Sequence, residues 1–269
     1  MLMNETYSVG YGDEARVFFN RRNAASHARF FLPYLKKGMH ILDCGCGPGS
    51  ISAGLAEIVD PGNVVGLDLE PTQLAAANKR ANINQSHSAY FACGNTYTLP
   101  FAEHTFDAVF IHGVLEHLSR PLDALEELKR VLKPTGLIGA RHTDFGGFII
   151  EPAPPPLDQF ILLFEKLMIH NGGDPYAGRH QPALFREAGY DIIEVDASYD
   201  CWTKNRSVTQ ASAQFLADFC AESSFANGII SSGISNQGNL KAISAAFLKW
   251  GENSGAFAAE AWGEIVARK

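Results

Sequence analysis

The sequence predicts an α/β fold in which parallel strands carry helices on both faces of one sheet. Two observations lead there. From residue 39 to about 145, short apolar runs alternate with longer amphipathic ones across brief connections, the pattern of successive βαβ units. Within that stretch the apolar run ending at Cys44 opens into glycines at 45, 47 and 49, directly ahead of a helical run. Such a turn lets the backbone adopt positive φ and lets a ligand approach it closely. The chain has 269 residues, 46% of them apolar, enough for a sizeable core in one large domain or in two small ones.

Taken in order, residues 1–38 read as helix, with Phe18, Ala24, Ala28 and Phe31 interleaved with Arg21, Arg22 and Arg29. Met39–Cys44 is a buried strand, Ser50–Val59 a helix and Val64–Leu69 a second strand. Pro71 suits a first helical turn and opens a helix to about Asn84. Ala89–Cys93 and Phe106–Ile111 are the third and fourth strands. Leu122–Leu132 is an amphipathic helix stopped by Pro134, and Leu137–His142 the fifth strand. Beyond residue 145 the alternation breaks. Phe145–Gly147 and Pro152–Pro156 read as a loop, because proline cannot donate to a central ladder. Leu157–His170 is a helix and Gly172–Pro175 a turn. A short helix at Gln181–Ala188 precedes a sixth strand, Asp191–Tyr199. Residues 207–251 hold two helical stretches around a break at Asn227–Asn239, and Ala258–Lys269 closes the sheet.

Charge and composition exclude several classes. The formal net charge of −7, with no Lys/Arg cluster, argues against a nucleic-acid partner, since neutralising phosphates takes clustered cations. No apolar run reaches the ~18–20 residues that span a bilayer, and the first residues lack a secretory pattern. Five cysteines without framework spacing suit a reducing compartment, so a cytoplasmic protein is expected.

The chemistry concentrates in Ile41-Leu42-Asp43-Cys44-Gly45-Cys46-Gly47-Pro48-Gly49-Ser50. The helix after this turn offers unpaired N–H groups, and the second strand ends in Asp68, placed to accept both hydroxyls of an adenosine ribose. The third glycine falls one place too early for the dinucleotide fingerprint, which disfavours a nicotinamide-dependent oxidoreductase. The turn resembles instead the first motif of the class I S-adenosylmethionine-dependent methyltransferases. Further matches follow in that family's order: Asp68; Gly94-Asn95-Thr96 with Leu99-Pro100-Phe101; Phe106-Asp107-Ala108-Val109; and Leu132-Lys133-Pro134-Thr135-Gly136. Val114-Leu115-Glu116-His117-Leu118 resembles the branch containing quinone-biosynthesis C-methyltransferases and natural-product methyltransferases. The likeness covers roughly residues 20–145. Asn95 departs from it, standing where the family usually has Asp; an amide can still pair with adenine.

The resemblance implies a Rossmann-like seven-stranded sheet of order 3-2-1-4-5-7-6 with the last strand antiparallel. It also implies one methyltransferase domain over 1–269: a helical lid segment (1–38), a cofactor-binding core (39–145), helical insertions over the acceptor pocket (146–189 and 203–256) and closing strands (190–202 and 257–269). S-adenosylmethionine would lie across the carboxyl ends of strands one to four, leaving S-adenosylhomocysteine as product. Asp43, Gly45, Cys46 and Gly47 would line its methionine part and Asp68 its ribose. Leu69 would flank the adenine, with Gly94, Asn95 and Thr96 on its edge, Gln73 reaching ribose or adenine, and His112 near the amino end. Tyr7, Tyr11, Arg21 and Arg22 lie on a segment able to fold over the mouth.

His142 and Asp144 follow strand five, whose end faces the methyl group in this fold. With an ordinary pKa of about 6.5, His142 is the expected proton acceptor, unless both residues simply bond the following loop. His112, Glu116 and His117 have the spacing H-x-x-x-E-H, which fits neither zinc helix, and Cys44-x-Cys46 lacks a second pair; packing, not metal, is expected for both. The expected activity is methyl transfer to a small, partly apolar or aromatic metabolite, at carbon, oxygen or nitrogen. The rival is a member of the same fold that binds the cofactor without transferring methyl, such as a cyclase or ligand-sensing module. The sequence leaves the oligomeric state open, a homodimer among the choices.

Overall fold

A computed structural model describes residues 7–12, 19–84 and 88–269. Seven strands form one sheet in the order β3-β2-β1-β4-β5-β7-β6, as expected. They are β1 (His40–Cys44), β2 (Asn63–Asp68), β3 (Ala89–Cys93), β4 (Phe106–His112), β5 (Leu132–Glu151), β6 (Asp191–Cys201) and β7 (Phe257–Arg268). The first five pair in parallel, whereas β7 runs antiparallel to both β5 and β6.

Strand alternation sends neighbouring residues to opposite faces. Ile41, Ala108 and Phe110 pack with Phe31 and with Leu55 and Val59 of α2 (Ser50–Val59). Leu42, Val109 and Ile111 pack against Leu125 and Leu128 of α4 (Pro121–Val131) on the other face. Two further helices flank this core, α3 (Pro71–Asn84) and α6 (Ala177–Glu187). A third apolar cluster, away from the sheet's middle, joins α5 (Pro155–His170), α7 (Arg206–Glu222), α8 (Ser224–Ser231) and α9 (Gln237–Gly251).

Several boundaries differ from the sequence reading. Where one helix is expected over 1–38, the described residues after Phe19 hold a four-residue helix, α1 (Ala24–His27), capped by Asn23, and a 3-10 turn at Leu32–Tyr34. Residues 1–6 and 13–18 of that expectation lie outside the described residues. Strand β5 does not end at His142. It continues through Phe145–Phe148 to Glu151, with an irregularity against β7 between Asp144 and Ile149. The extra residues are taken up by a bulge, so Gly146 and Gly147 bend the strand instead of ending it. The stretch 207–251 holds three helices, not two, because each start has its own cap: Asn205, Ser223 and Asn236 accept from Val208, Ala226 and Asn239 N–H.

Helix α6 starts four residues before the expected Gln181 and carries Pro182 in its interior. Proline leaves the carbonyl of Gly178 without its helical donor, and Gln181 Nε2 supplies one at 3.2 Å. Gly178 also lies against Gly263 of β7, where an added Cβ would stand 2.1 Å from the Gly178 carbonyl oxygen. Backbone on both sides leaves no soft neighbour to yield. Gly263→Ala is expected to cost more than about 2 kcal/mol, read as a lowered urea midpoint. An unchanged midpoint would mean that α6 shifts freely.

Candidate active site

The carboxyl ends of β1, β2 and β4 surround a cavity of about 170 Å³. All eleven residues expected around the cofactor line it: Asp43, Gly45, Cys46, Gly47, Asp68, Leu69, Gln73, Gly94, Asn95, Thr96 and His112. Tyr7, Tyr11 and Arg22 line it as well, whereas Arg21 reaches Ser212 instead, at 3.5 Å.

The glycine turn explains its own composition. Gly45, Gly47 and Gly49 have φ of 79°, 51° and 70°, in the left-handed region. An added Cβ at Gly45 would stand 2.2 Å from Val114 Cγ2, whereas at Gly47 it would meet nothing within 4 Å, since that position opens on the cavity. The turn is tied to β2. Leu67 O accepts from Gly45 and Cys46 N–H at 2.7 and 3.0 Å, and Asp68 Oδ2 accepts from Gly47 N–H at 2.8 Å. Asp68 Oδ1 accepts from Glu70 N–H at 2.9 Å, and burial raises the carboxyl's pKa despite these donors.

Asp43 is fully enclosed behind the turn. Burial pushes it up to about 7 even though Ser52 donates to its Oδ2 at 2.5 Å. Gln73, 2% exposed, finds no partner for either side-chain amide atom among the described residues. A buried amide without partners costs free energy, so this one points to a polar ligand. Asn95 Oδ1 accepts from Tyr97 N–H at 2.9 Å and keeps a second lone pair. Cys44 and Cys46 are buried free thiols, both raised by burial, and Cys44 donates to Thr96 at 3.3 Å. No group of His, Cys, Asp and Glu suited to a metal ion occurs among the described residues.

His112 is buried, and Arg141 Nη1 lies 3.0 Å from its Nε2. A guanidinium only donates, so Nε2 accepts and the proton sits on Nδ1. Burial, with the charges of Arg22 and Arg141, holds this imidazole well below its ordinary pKa and therefore neutral. The ring stacks on Trp262 at 4.7 Å.

A second cavity, of about 70 Å³, adjoins the first; Tyr7, Phe19, Arg22, Gly113 and His117 line both. Its walls are mostly aromatic, from Phe145 and Phe148 of the β5 bulge to Phe160, Phe164, Phe215 and Phe219 of the outer helices. Its polar lining includes Glu116, Thr143 and Glu260. His142 lines neither cavity. It is completely buried, with Nδ1 2.8 Å from Glu116 Oε2, so it stands behind that carboxylate and has no direct access to an acceptor. Burial opposes the charge on Glu116, but His142 outweighs it and holds the carboxyl below the usual range. Asp144 is held by Arg179, at 2.5 and 2.7 Å, the bonding alternative to catalysis.

Sequence reasoning missed Glu260 and Trp262. A signal was present: Glu260, Trp262 and Glu264 recur at every second residue, placing two acids on one face of β7, and all three are buried. Acids on one face of a strand flanked by two others are out of place unless they have work there.

A sheet of this order, with a glycine turn and an acid at the ends of its first two strands, defines the Rossmann-like methyltransferase class. The methyltransferase domain model matches residues 42–139. An uncharacterized methyltransferase of Schizosaccharomyces pombe is 32% identical over 187 residues, 67% of each chain. The "Probable methyltransferase ltbC" of Aspergillus luteorubrus is 36% identical over 199 residues, 69% of this chain and 68% of that one. The demethylmenaquinone methyltransferase of Shouchella clausii is 31% identical over 154 residues, 55% and 60% of the two chains. The chain belongs to the methyltransferase family, whose methyl donor is S-adenosylmethionine. Among solved structures the [4+2]-cyclase SpnF shares the fold at a TM-score of 0.59 and 21% identity, covering 93% of this chain and 84% of its own. A SAM-dependent methyltransferase from Aquifex aeolicus does so at 0.53 and 21%, covering 68% and 92%.

Proposed function

We propose that the chain transfers a methyl group from S-adenosylmethionine to a small acceptor with an aromatic or apolar body. The observation that carries this reading is the adjoining of two unlike cavities. One is edged by the glycine turn, Asp68 and the unpartnered Gln73 amide; the other is walled by phenylalanines. The open space at Gly47 and the Gln73 amide both fit a polar nucleoside ligand. Asp68 would hold the ribose, Gln73, Asn95 and Thr96 the nucleoside edge, and Asp43, Gly45, Cys46, Gly47 and His112 the amino-acid end. Leu69, half-exposed at the cavity edge, would cover one face of the adenine. The bound sulfonium supplies an activated methyl, so the chain's own task is alignment and exclusion of water.

Residues 146–189 and 203–256, together with Tyr7, Val9, Phe19 and Arg22, would form the acceptor's enclosure. The demethylmenaquinone relatives are consistent with a ring-bearing acceptor. SpnF, a [4+2]-cyclase on the same fold, supports as a second reading a member of this fold that does not transfer methyl. Incubating the protein with S-adenosylmethionine and a panel of hydroxylated aromatics separates them. Formation of S-adenosylhomocysteine with a matching methylated product is the expected result. Binding of the cofactor with no product from any member of the panel would favour the second reading, and no binding at all would overturn both.

Asp43 adds a pH signature. Below about pH 7 its carboxyl is protonated in the free protein. A cationic ligand arriving beside it favours the carboxylate and therefore expels the proton. Cofactor affinity should fall as pH drops below about 7. Near pH 6 the calorimetric enthalpy should depend on the buffer's heat of ionisation. Asp43→Asn should abolish that dependence; its persistence would place the proton elsewhere.

A further inference from the structure

We propose that Glu260 is the proton acceptor for the methyl acceptor, and that this acceptor presents an aromatic or enolic hydroxyl to a paired site made by Glu260 and Trp262. The proposal rests on the methyltransferase reading for its place in a reaction, but its geometry is independent of it.

Glu260 and Trp262 stand two residues apart on β7, so both face the same way, and both line the aromatic cavity. Each is buried, at 7% and 2% exposure. Thr143 Oγ1 donates to Glu260 Oε1 at 3.3 Å, while Glu260 Oε2 and Trp262 Nε1 have no partner among the described residues. A buried unsatisfied acceptor on the same strand face as a buried unsatisfied donor is costly without a ligand that answers both. A hydroxyl does so: its O–H donates to the carboxylate and its oxygen accepts from the indole N–H. An ammonium has no lone pair for Trp262, and an ether has no proton for Glu260.

The strand geometry singles out this position. The β5–β7 ladder pairs Asp144 with Ala261 and Ile149 with Ala259, leaving Glu260 opposite the bulge. Phe145 and Phe148 of that bulge line the same cavity as Glu260. Bulges next to sites commonly re-aim side chains.

In the step itself, the acceptor's O–H proton passes to the Glu260 carboxylate. The bonding electron pair stays on oxygen as an oxyanion, stabilised by the Trp262 N–H. That electron-rich oxygen, or the ring conjugated with it, is the nucleophile that methyl transfer requires. Burial, with Asp200 across the strand pair, lifts Glu260 to about 7, against the opposing charges of Arg22 and Arg141 and the Thr143 hydrogen bond. Glu116 shares the cavity but is kept ionised by His142, while Tyr7 and His117 line it uncharged, burial raising the phenol's pKa and lowering the imidazole's. Two carboxyls in one pocket are thus pushed apart, and the one matched to neutral pH is Glu260.

The test uses 2-naphthol as probe, bound to the full-length protein and followed by its fluorescence over about two pH units on either side of neutral. In wild type, binding should tighten about ten-fold as pH rises through about 7, because the carboxylate accepts the hydroxyl proton more strongly than the acid does. Glu260→Gln should flatten that profile while leaving the thermal midpoint and calorimetric S-adenosylhomocysteine binding in place. Trp262→Phe, which keeps the ring, should weaken the probe while the inflection persists. An inflection that persists in Glu260→Gln, or a wild type that does not bind the probe, overturns the proposal. Loss of S-adenosylhomocysteine binding in wild type would instead overturn the methyltransferase reading, whatever the probe does.

Discussion

Asp68→Ala is expected to weaken S-adenosylmethionine and S-adenosylhomocysteine binding by at least ten-fold and by about a hundred-fold if both lost interactions count. On the proposed reading, the first loss is the pair of acceptors that Asp68 would offer to the ribose hydroxyls. The second is internal: Asp68 Oδ2 holds the N–H of Gly47, so its removal frees the middle of the glycine turn. Because Gly47 opens on the cavity, a looser turn gives the ligand a less ordered wall, and ordering it on binding costs affinity. Asp68→Asn separates the two effects. It keeps one oxygen for a single backbone donor but loses the charge, so it should fall between wild type and alanine. Calorimetry of both ligands, with a thermal midpoint as folding control, gives the answer; unchanged affinity in Asp68→Ala would remove the ribose assignment.

The half of the sheet from β1 to β4 is legible in the sequence because its signals are local. Glycines at alternate positions, an acid closing the next strand and Pro71 at a helix start each constrain the backbone within a few residues. The cavity collects the glycines and the acid that these signals mark, together with the residues that the family resemblance implies. The chain beyond residue 145 is less legible because long-range pairing decides it. Residues 145–148 look like a loop in isolation, yet β7 supplies a partner strand that holds them as a bulge. Pro134 looks like a helix stop, but the helix has already ended at Val131 and the proline lies in β5. His142 was singled out by its place after the fifth strand. What the linear pattern does not carry is the side of the strand on which it falls, and its ring faces Glu116 in the interior, away from both cavities. Glu260 and Trp262 needed the opposite inference, from strand alternation on an element with no motif at all.

Arg141→Met is expected to cost about 3–5 kcal/mol of stability. Arg141 is 1% exposed and is held from three strands. Its Nε donates to Glu264 Oε1 at 2.9 Å on β7, its Nη2 to Asp200 Oδ1 at 2.9 Å and to Ser198 on β6, and its Nη1 to His112 on β4. A thioether of similar volume fills the space but leaves Glu264 buried beside no cation. That uncompensated charge, more than the lost contacts, carries the penalty. A double variant, Arg141→Met with Glu264→Gln, should therefore recover much of the loss, and urea unfolding of the three proteins measures it. The pH dependence follows from Asp200. Burial works against its ionisation, but His27 and Arg141 hold its carboxyl well below the usual range. A depressed carboxyl contributes stability above its unfolded value of about 4, and that contribution is lost as pH falls. Asp200 is 24% exposed on its side chain, so solvent moderates the effect. In Arg141→Met the acid-side slope below about pH 4 should become shallower, since part of what depresses Asp200 is gone. The same variant frees Nε2 of His112 from its fixed donor, so this ring, which lines the larger cavity, can exchange tautomers. Weaker cofactor binding that Arg141→Lys only partly restores would mark that coupling, because an ammonium cannot reproduce the guanidinium's simultaneous reach to three strands.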